Sequence, residues 1–536
     1  MRGPSHTVWH PRRRATLTLA RFLPQKVTTE EMAVIERNAA YLGVTIADMM
    51  ERAGKGVAET TAEMYPGSSK VLVVAGLGNN GGDGLVAGRH LARRGWEAQV
   101  YLIGTPEKIR TGEARANWKA LEALHNRIRT SWLTDEDLSE LGSLLSESEV
   151  VLDAMLGTGV RGRLRRPTST VVHMINDSGK PVVAVDAPTG IDPATGEVHG
   201  VAVRASCTVT FHKRKPGLEL AREYVGRLRV ADIGVPTEAE LYVGPGDVYK
   251  VVAPLRRARD RAAFRVLVVA DTRHSARLAI DVAACSVALG ADLVKVVAPS
   301  YVMREIRPQS AAVELEPLEG AEITAAHMPK LTDLAVISDA TILCVSGGGR
   351  FEKDVVAEFT EGIRIPAVLV ALSSDLPREV VSAISAAEIL LACRDNLAAA
   401  LLNVKPTPDP ESLTERTLKL AQELRVTAVN GLERGTLVVS DGVRVKAGHR
   451  VNRGIDLARH LALVSGIAAK YLALRATRMD AAAAATFLLH LACQLAEETR
   501  THPSVSDMIR ELQTAEDVCA GEISAYEGRG PRPKGD

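Results

Sequence analysis

Two rhythms of hydrophobic and polar positions run along this chain. From Thr28 to about Gly43, and again from Ile46 to Met64, apolar residues recur at helical spacing, and Thr28 with Glu31 has the spacing of a capping box. From Val71 the rhythm changes to short, nearly continuous apolar runs rich in β-branched residues. These are VLVVAGL at 71–77, AQVYLIG at 98–104, EVVLDAML at 149–156, PVVAVDAP at 181–188 and ASCTVTF at 205–211. Helical stretches separate them, at about Gly84 to Arg94, near 111–125 and near 168–177. Runs without alternation are buried on both faces, and strands that alternate with helices pair in parallel, so this half is predicted to be a doubly wound α/β sheet.

The pattern lapses between about Val235 and Ala263, where Pro, Gly and the basic run RRARDR at 256–261 replace it, and FRVLVVAD at 264–271 starts a second series. Helices near 274–289, 352–362 and 411–424 and strands near 292–298, 341–345, 366–371 and 426–430 follow, then three consecutive helices at about 456–475, 479–499 and 503–516. A second α/β layer closed by a helical cap is expected. The longest uncharged stretch, Ala481 to Ala496, is shorter than the roughly 18–20 residues that span a bilayer, and reads as a buried helix. The expected domains are 27–245 and 263–525, joined by a linker at 246–262. Residues 1–26 read as a disordered or mis-assigned extension, with a targeting segment as the alternative because six basic and no acidic residues stand in the first 29, and 526–536 reads as a tail.

Composition narrows the function more than the fold. Lys plus Arg number 66 and Asp plus Glu 65, so a net charge of +1 provides no global field for nucleic acid or anionic membrane, and neither partner is expected. Aromatics at 4% leave few platforms for stacked bases. Six dispersed cysteines without a C-x-x-C pair spell neither a zinc site nor a disulfide framework, which suits a cytoplasmic protein.

Three loops at strand ends carry the candidate chemistry. AGLGNNGGDG at 75–84 joins a strand to a helix, and Gly76, Gly78 and Gly81 satisfy G-x-G-x-x-G. The second strand ends Leu102-Ile103-Gly104-Thr105-Pro106, without the acidic residue that a dinucleotide site uses on the ribose, which weakens a conventional NAD(P) oxidoreductase. A tight turn explains the glycines but not the Asn79-Asn80-Gly81-Gly82-Asp83 run. LDAMLGTGVRGR at 152–163 puts Asp153 at a strand end before a flexible loop, and VDAPTGID at 185–192 does the same for Asp186 and Thr189. In a doubly wound sheet these carboxyl ends share one crevice. Asn80, Asp153, Asp186 and Thr189 are hard oxygen ligands of the kind that suit an alkali or alkaline-earth cation, and a partly desolvated Asp186 is a general acid/base candidate.

NNGGDG, LDAMLGTG and VDAPTGID, in this order and spacing, together with the helices at 28–54, resemble the NAD(P)H-hydrate epimerase family over roughly residues 27–240. The resemblance implies a Rossmann-like domain that interconverts the R and S forms of NADHX and NADPHX, the hydrates of NADH and NADPH. It places the nucleotide on Asn79, Asn80, Gly81, Gly82 and Asp83 and on Gly157, Thr158, Gly159, Val160, Arg161, Gly162 and Arg163. It makes Asp186 the catalytic residue in contact with that nucleotide, and assigns K⁺ to Asn80, Asp153 and Thr189. The substrate is then a small molecule, and a homo-oligomer is expected.

The second half resembles the ADP/ATP-dependent NAD(P)H-hydrate dehydratase domain, a ribokinase-like fold, over 267–299, most clearly at Gly290-Ala291-Asp292-Leu293-Val294. Its catalytic signatures are missing. Ala462 stands at the position of the family's Asp, Cys393-Arg394-Asp395-Asn396 replaces His-Pro-Gly-Glu, Asn430-Gly431 replaces Lys-Gly, and the early glycine-rich loop reads Asp271-Thr272-Arg273-His274-Ser275. A catalytically degenerate domain is expected, with Ser346-Gly347-Gly348-Gly349 as one remaining phosphate turn; ADP or ATP with Mg²⁺ would be bound only if the domain is active. The rival readings are a fully bifunctional isomerase and hydro-lyase, and a nucleotide-binding scaffold without turnover.

Overall fold

The structure, a computed structural model, describes residues 20–124, 127–133, 137–157, 162–257, 263–304, 306–308, 310–345, 367–371, 389–406, 409–433, 435–449 and 455–521. They form two compact units. One is Pro24–Pro236; the other runs from Thr237 and takes in the segment up to Leu23.

In the first unit, strands β1 (Lys70–Ala75), β2 (Glu97–Leu102), β3 (Ile128–Trp132), β4 (Val150–Ala154), β5 (Val182–Val185), β6 (Cys207–Phe211) and β7 (Arg227–Ala231) form one sheet in the order β3-β2-β1-β4-β5-β6-β7. Every pairing is parallel. The expected apolar runs are its inner strands, buried almost throughout. The two edge strands, IRTSW and RLRVA, have no such run because they carry polar residues and are half-exposed. Strand order reverses between β1 and β4, which opens a crevice at their carboxyl ends.

Helices α1 (Thr29–Tyr41) and α2 (Ile46–Met64) both open with capping boxes, Thr28 with Glu31 and Thr45 with Asp48. Helix α3 (Asn79–Arg93) starts five residues before the expected Gly84, so the Asn79–Asp83 run is its first turn. Missing side chains allow this. A Cβ at Gly81 would lie 2.0 Å from the Gly76 carbonyl oxygen, and one at Gly84 would lie 2.3 Å from Ala154 Cβ.

In the second unit, β8 (Arg265–Ala270), β9 (Leu293–Pro299), β10 (Val313–Leu318), β11 (Ala340–Val345), β12 (Ala367–Ala371), β13 (Leu390–Arg394), β14 (Thr427–Gly431), β15 (Leu437–Ser440) and β16 (Val445–Ala447) make a nine-stranded sheet. Its order is β10-β9-β8-β11-β12-β13-β14-β15-β16, parallel up to β14 and antiparallel from β14 to β16. The edge strand β10, VELEPL, alternates with acids, and β13 runs straight into the helix Asp395–Leu401, so neither is bounded by turn residues in the sequence. Helix α4 (Arg273–Ala288) and the cap helices α5 (Leu457–Ala473), α6 (Arg478–Thr499) and α7 (Val505–Ala520) lie close to their expected ranges. Among the described residues α6 is the one helix long and apolar enough to cross a membrane, and 78% of its apolar window is buried within the unit. All six cysteines are free and buried.

The domain limits differ from expectation. Residues 246–257 of the expected linker belong to the helix Pro245–Arg257, and the units divide at Pro236. Tyr242 and Leu241 explain the shift: they are buried with Phe22, Leu23 and Ala447, so apolar anchors on both sides of the Pro/Gly-rich stretch join the second unit. Residues 20–26 are likewise structured rather than part of a disordered extension, with Ala20–Phe22 in a 3₁₀ turn and Lys26 bridging to Arg214. The helix expected at 352–362, the turn at Ser346–Gly349, residues 1–19 and the tail beyond 521 lie outside the described residues.

The contact at Gly84 has a measurable consequence. Gly84→Ala should destabilise the first unit by about 1–3 kcal/mol through overpacking against Ala154, read as an earlier urea transition. An unchanged midpoint would mean that α3 can retreat from the sheet at no cost.

Candidate active site

The crevice is built from three strand ends. At the first, Gly76 follows β1 so closely to the next strand end that a Cβ there would lie 1.9 Å from Met155 O. Gly78 is the N-cap of α3 and has no side chain to satisfy the first-turn amides. Those free N–H groups and the positive end of the helix make an anion-binding turn. Of the nucleotide-binding residues expected here, Asn79 and Gly81 belong to that turn, whereas Gly82 faces inward, where a Cβ would meet the Met50 side chain at 2.7 Å.

The second strand end holds Asp153, fully buried in β4. Its Oδ2 accepts from Thr189 N at 2.7 Å, and its Oδ1 accepts from Thr189 Oγ1 at 2.7 Å and from Met155 N at 3.3 Å. Thr189 Oγ1 accepts in turn from Leu156 N at 3.1 Å and lies 3.2 Å from Leu156 O. Burial pushes the Asp153 carboxyl up to about 6 against the hydrogen bonds from Thr189 and Met155. Asn80 closes the group from the other side. Its carboxamide packs on Gly157, where a Cβ would lie 2.7 Å from Oδ1, and its Nδ2 is buried without a hydrogen-bond partner among the described residues. The three residues expected to bind K⁺ are thus linked: Asn80 touches Gly157, the neighbouring Leu156 bonds Thr189, and Thr189 bonds Asp153. The donors are carboxylate, hydroxyl, carboxamide and carbonyl oxygens around a buried carboxylate that has no cationic partner among the described residues. That set fits a singly charged hard cation.

The third strand end holds Asp186, in the left-handed region at φ 62°. Its N–H donates to Val209 O at 2.8 Å, which keeps this conformation against the preference of a non-glycine residue. Oδ1 accepts from Lys215 Nζ at 2.8 Å, Thr210 Oγ1 at 3.1 Å and Phe211 N at 3.4 Å. Two more carboxyls share this pocket electrostatically. Burial, with the fields of Asp186 and Glu36, holds Asp83 well above the usual carboxylate range, and burial with the Asp186 field raises Glu36 to about 7; Lys215 opposes both shifts.

Sequence reasoning singled out Asn80, Asp83, Asp153, Asp186 and Thr189, and did not point to Lys215, Thr210 or Glu36, which the fold adds around them. In the run HKRK at 212–215 the four residues look alike, and only the fold shows that Lys215 is 1% exposed. Glu36 sits among polar positions of α1, where nothing local marks it. Gly162 and Arg163 are exposed, Arg163 beside Gly200, and Thr158, Gly159, Val160 and Arg161 lie outside the described residues.

At the carboxyl ends of β13 and β14 in the second unit, polar groups bind each other. Arg416 holds Asp395 through Nε at 2.8 Å and Nη2 at 2.5 Å, Asn430 Nδ2 donates to Asp395 Oδ1 at 3.1 Å, and the Cys393 thiol lies 3.9 Å from Asn430 Oδ1. Thr272 and Ser275 form the capping box of α4. Ala462 is fully buried in α5.

Residues 46–217 match the family described as YjeF-related protein N-terminus. Over 499 residues the chain is 35% identical to the bifunctional NAD(P)H-hydrate repair enzyme of Pyrobaculum aerophilum, covering 91% of this chain and 97% of that one. The chain belongs to the bifunctional NAD(P)H-hydrate repair enzyme family. Over 215 residues, 40% of this chain, it is also 39% identical to the NAD(P)H-hydrate epimerase of Cenarchaeum symbiosum, covering 97% of that protein. A solved structure, the ADP/ATP-dependent NAD(P)H-hydrate dehydratase from Bacillus subtilis co-crystallized with ATP/Mg²⁺, is similar over 52% of this chain and 98% of that one, at 12% identity and a TM-score of 0.39.

Within this repair-enzyme family member, Thr189 is the hinge of the second strand-end group. Thr189→Val should leave Asp153 Oδ1 and Leu156 N without their hydroxyl partner and cost about 1–3 kcal/mol of stability, while Thr189→Ser should melt close to the parent. Equal melting temperatures for Val and parent would show that the hydroxyl holds nothing.

Proposed function

We propose that the first unit epimerises the R and S hydrates of NADH and NADPH, with the nucleotide on the first turn of α3 and on the loop after β4. The observation that supports this best is the pocket around Asp186, where one carboxylate, ion-paired to a buried lysine, lies in the field of two carboxyls that burial raises above the usual carboxylate range. The hydrate carries a hydroxyl on a carbon next to the ring nitrogen. Protonating that hydroxyl lets the nitrogen lone pair expel water, and addition of water from the opposite face inverts the carbon. Asp186, in a site removed from bulk water, is the group that handles the proton.

Asn80, Asp153 and Thr189 are proposed to hold K⁺. A bound K⁺ would supply positive charge beside the buried Asp153 carboxylate. The protein's own contribution there is positional, since Thr189 and Asp153 tie the ends of β4 and β5 together next to the substrate loop. Asp186→Asn should slow equilibration of the two epimers by about 10²–10⁴-fold with little change in KM, measured by chromatographic separation of the epimers in KCl. Equilibration at the parent rate would favour a binding scaffold.

For the second unit we propose a degenerate dehydratase domain kept for packing. The support is chemical: Asp395 and Asn430, at signature positions, are consumed by Arg416 and by each other, and Ala462 has no carboxylate. The full-length similarity to a relative named bifunctional favours the second reading, an active dehydratase with divergent loops. Incubation with the S-hydrate and ADP or ATP with Mg²⁺ separates the two. No recovery of reduced-nicotinamide absorbance is expected, and recovery would establish the bifunctional enzyme.

A further inference from the structure

Asp186 presents its two carboxylate oxygens unequally. Oδ1 accepts from Lys215 Nζ at 2.8 Å, Thr210 Oγ1 at 3.1 Å and the Phe211 amide at 3.4 Å. Oδ2 has no hydrogen-bond partner among the described residues and is not one of the sealed polar atoms there, so the 11% of the side chain that stays accessible includes it. All three donors to Oδ1 come from the end of β6 and the turn that follows it. Thr210, fully buried in β6, links the other groups of the set.

Chemistry fixes the direction of the bonds through Thr210. An ammonium only donates, so Thr210 Oγ1 accepts from Lys215 Nζ at 2.9 Å, and its single hydroxyl proton goes to Asp186 Oδ1. Lys215 places its other protons on Asp186 Oδ1 and on Phe211 O at 3.0 Å. Three ammonium protons thus meet three acceptors, and the Thr210 hydroxyl is one of them. Without that hydroxyl, a lysine that is 1% exposed would hold a proton with no acceptor. The oxygen left open on its own ion-pair partner is Asp186 Oδ2.

Resting on the epimerase reading above, we propose that Thr210 is a positioning residue of that reaction: its hydroxyl takes up the ammonium proton that would otherwise compete for Asp186 Oδ2, and so keeps Oδ2 for the substrate. Thr210 acts through Asp186, since it is itself fully buried. The three bonds to Oδ1 also resist rotation of the carboxylate group, because turning it would break all of them together. A proton held on Oδ2 leaves all three in place, since Oδ1 accepts in either form of the carboxyl group. The pocket therefore needs no rearrangement while Asp186 handles the proton of the substrate, and its reacting oxygen stays in one place.

The test is a double-mutant cycle on the full-length protein, with the parent, T210V, D186N and T210V/D186N assayed on purified R- and S-NADHX in KCl and T210S as the conservative variant. Val keeps the β-branched shape of Thr in the strand and removes the hydroxyl. T210V should lower kcat by about 10–100-fold, the scale of a small misplacement of a reacting group, with KM within about threefold. T210S should recover most of that loss. Because Thr210 works through Asp186, the double variant should match D186N alone within about twofold. T210V at the parent's kcat, or with a loss confined to KM, would overturn the proposal. So would T210S no faster than T210V, or a double variant slower than D186N by the full T210V factor. Should T210V melt below the assay temperature, T210A takes its place in the cycle. A parent that fails to equilibrate the epimers would instead overturn the epimerase reading itself.

Discussion

The approach of α3 to the ends of β1 and β4 is the constraint on which the site depends. Gly76, Gly81 and Gly84 have no Cβ because there is no room for one: Met155 O, Gly76 O and Ala154 Cβ already occupy those positions. The approach puts the amides of the first helical turn at the reversal of strand order, where two loops diverge and a ligand can enter. It also forces Asn80 against Gly157, so the anion turn and the Asp153 group are one assembly. A larger residue at any of the three glycines would separate them.

Around that assembly the protein treats two strand-end aspartates differently. Asp153 is held by neutral donors and is raised by burial, the condition of a carboxylate that needs a cation. Asp186 already has a cation in Lys215, at 2.8 Å. The ammonium is shared unequally: it touches Asp186 but only lowers Glu36 and Asp83 from a distance, so their burial prevails and both are raised. One lysine among three carboxyls therefore pairs with a single one of them and leaves the other two raised by burial.

How legible this was depended on what each residue's role rests on. Inner strands and capped helices were readable because uninterrupted apolar runs and Thr-x-x-Glu spacings follow from burial and capping, which are local. The edge strands IRTSW and RLRVA were not, because only their neighbours make them strands. The domain limit was misplaced by the Pro/Gly stretch, since Tyr242 and Phe22 are far apart in sequence and meet only in the fold. At the site, Asp153, Asp186 and Thr189 announced themselves as polar residues at the ends of apolar strands. Lys215 did not, because a buried lysine and its more accessible neighbours Lys213 and Arg214 have the same local composition, and its partner lies 29 residues away.

On the proposed reading the second unit is a fold that outlasts its chemistry. Its sheet is held by apolar strands and its helices by caps, and signature positions serve both, Cys393 and Asn430 lying within β13 and β14. Thr272 and Ser275 close the head of α4, so the early loop does structural work of its own. Asp395 has become indispensable to the core through Arg416: removing either partner would leave a buried charge, at a cost of about 3–5 kcal/mol. A carboxylate placed at 462 meets the opposite barrier, because Ala462 is fully buried in α5 and a charge there would be taken out of water. On the proposed reading the loss is self-reinforcing. The polar residues that remain bind one another, and the position that would receive the missing acid is fully buried.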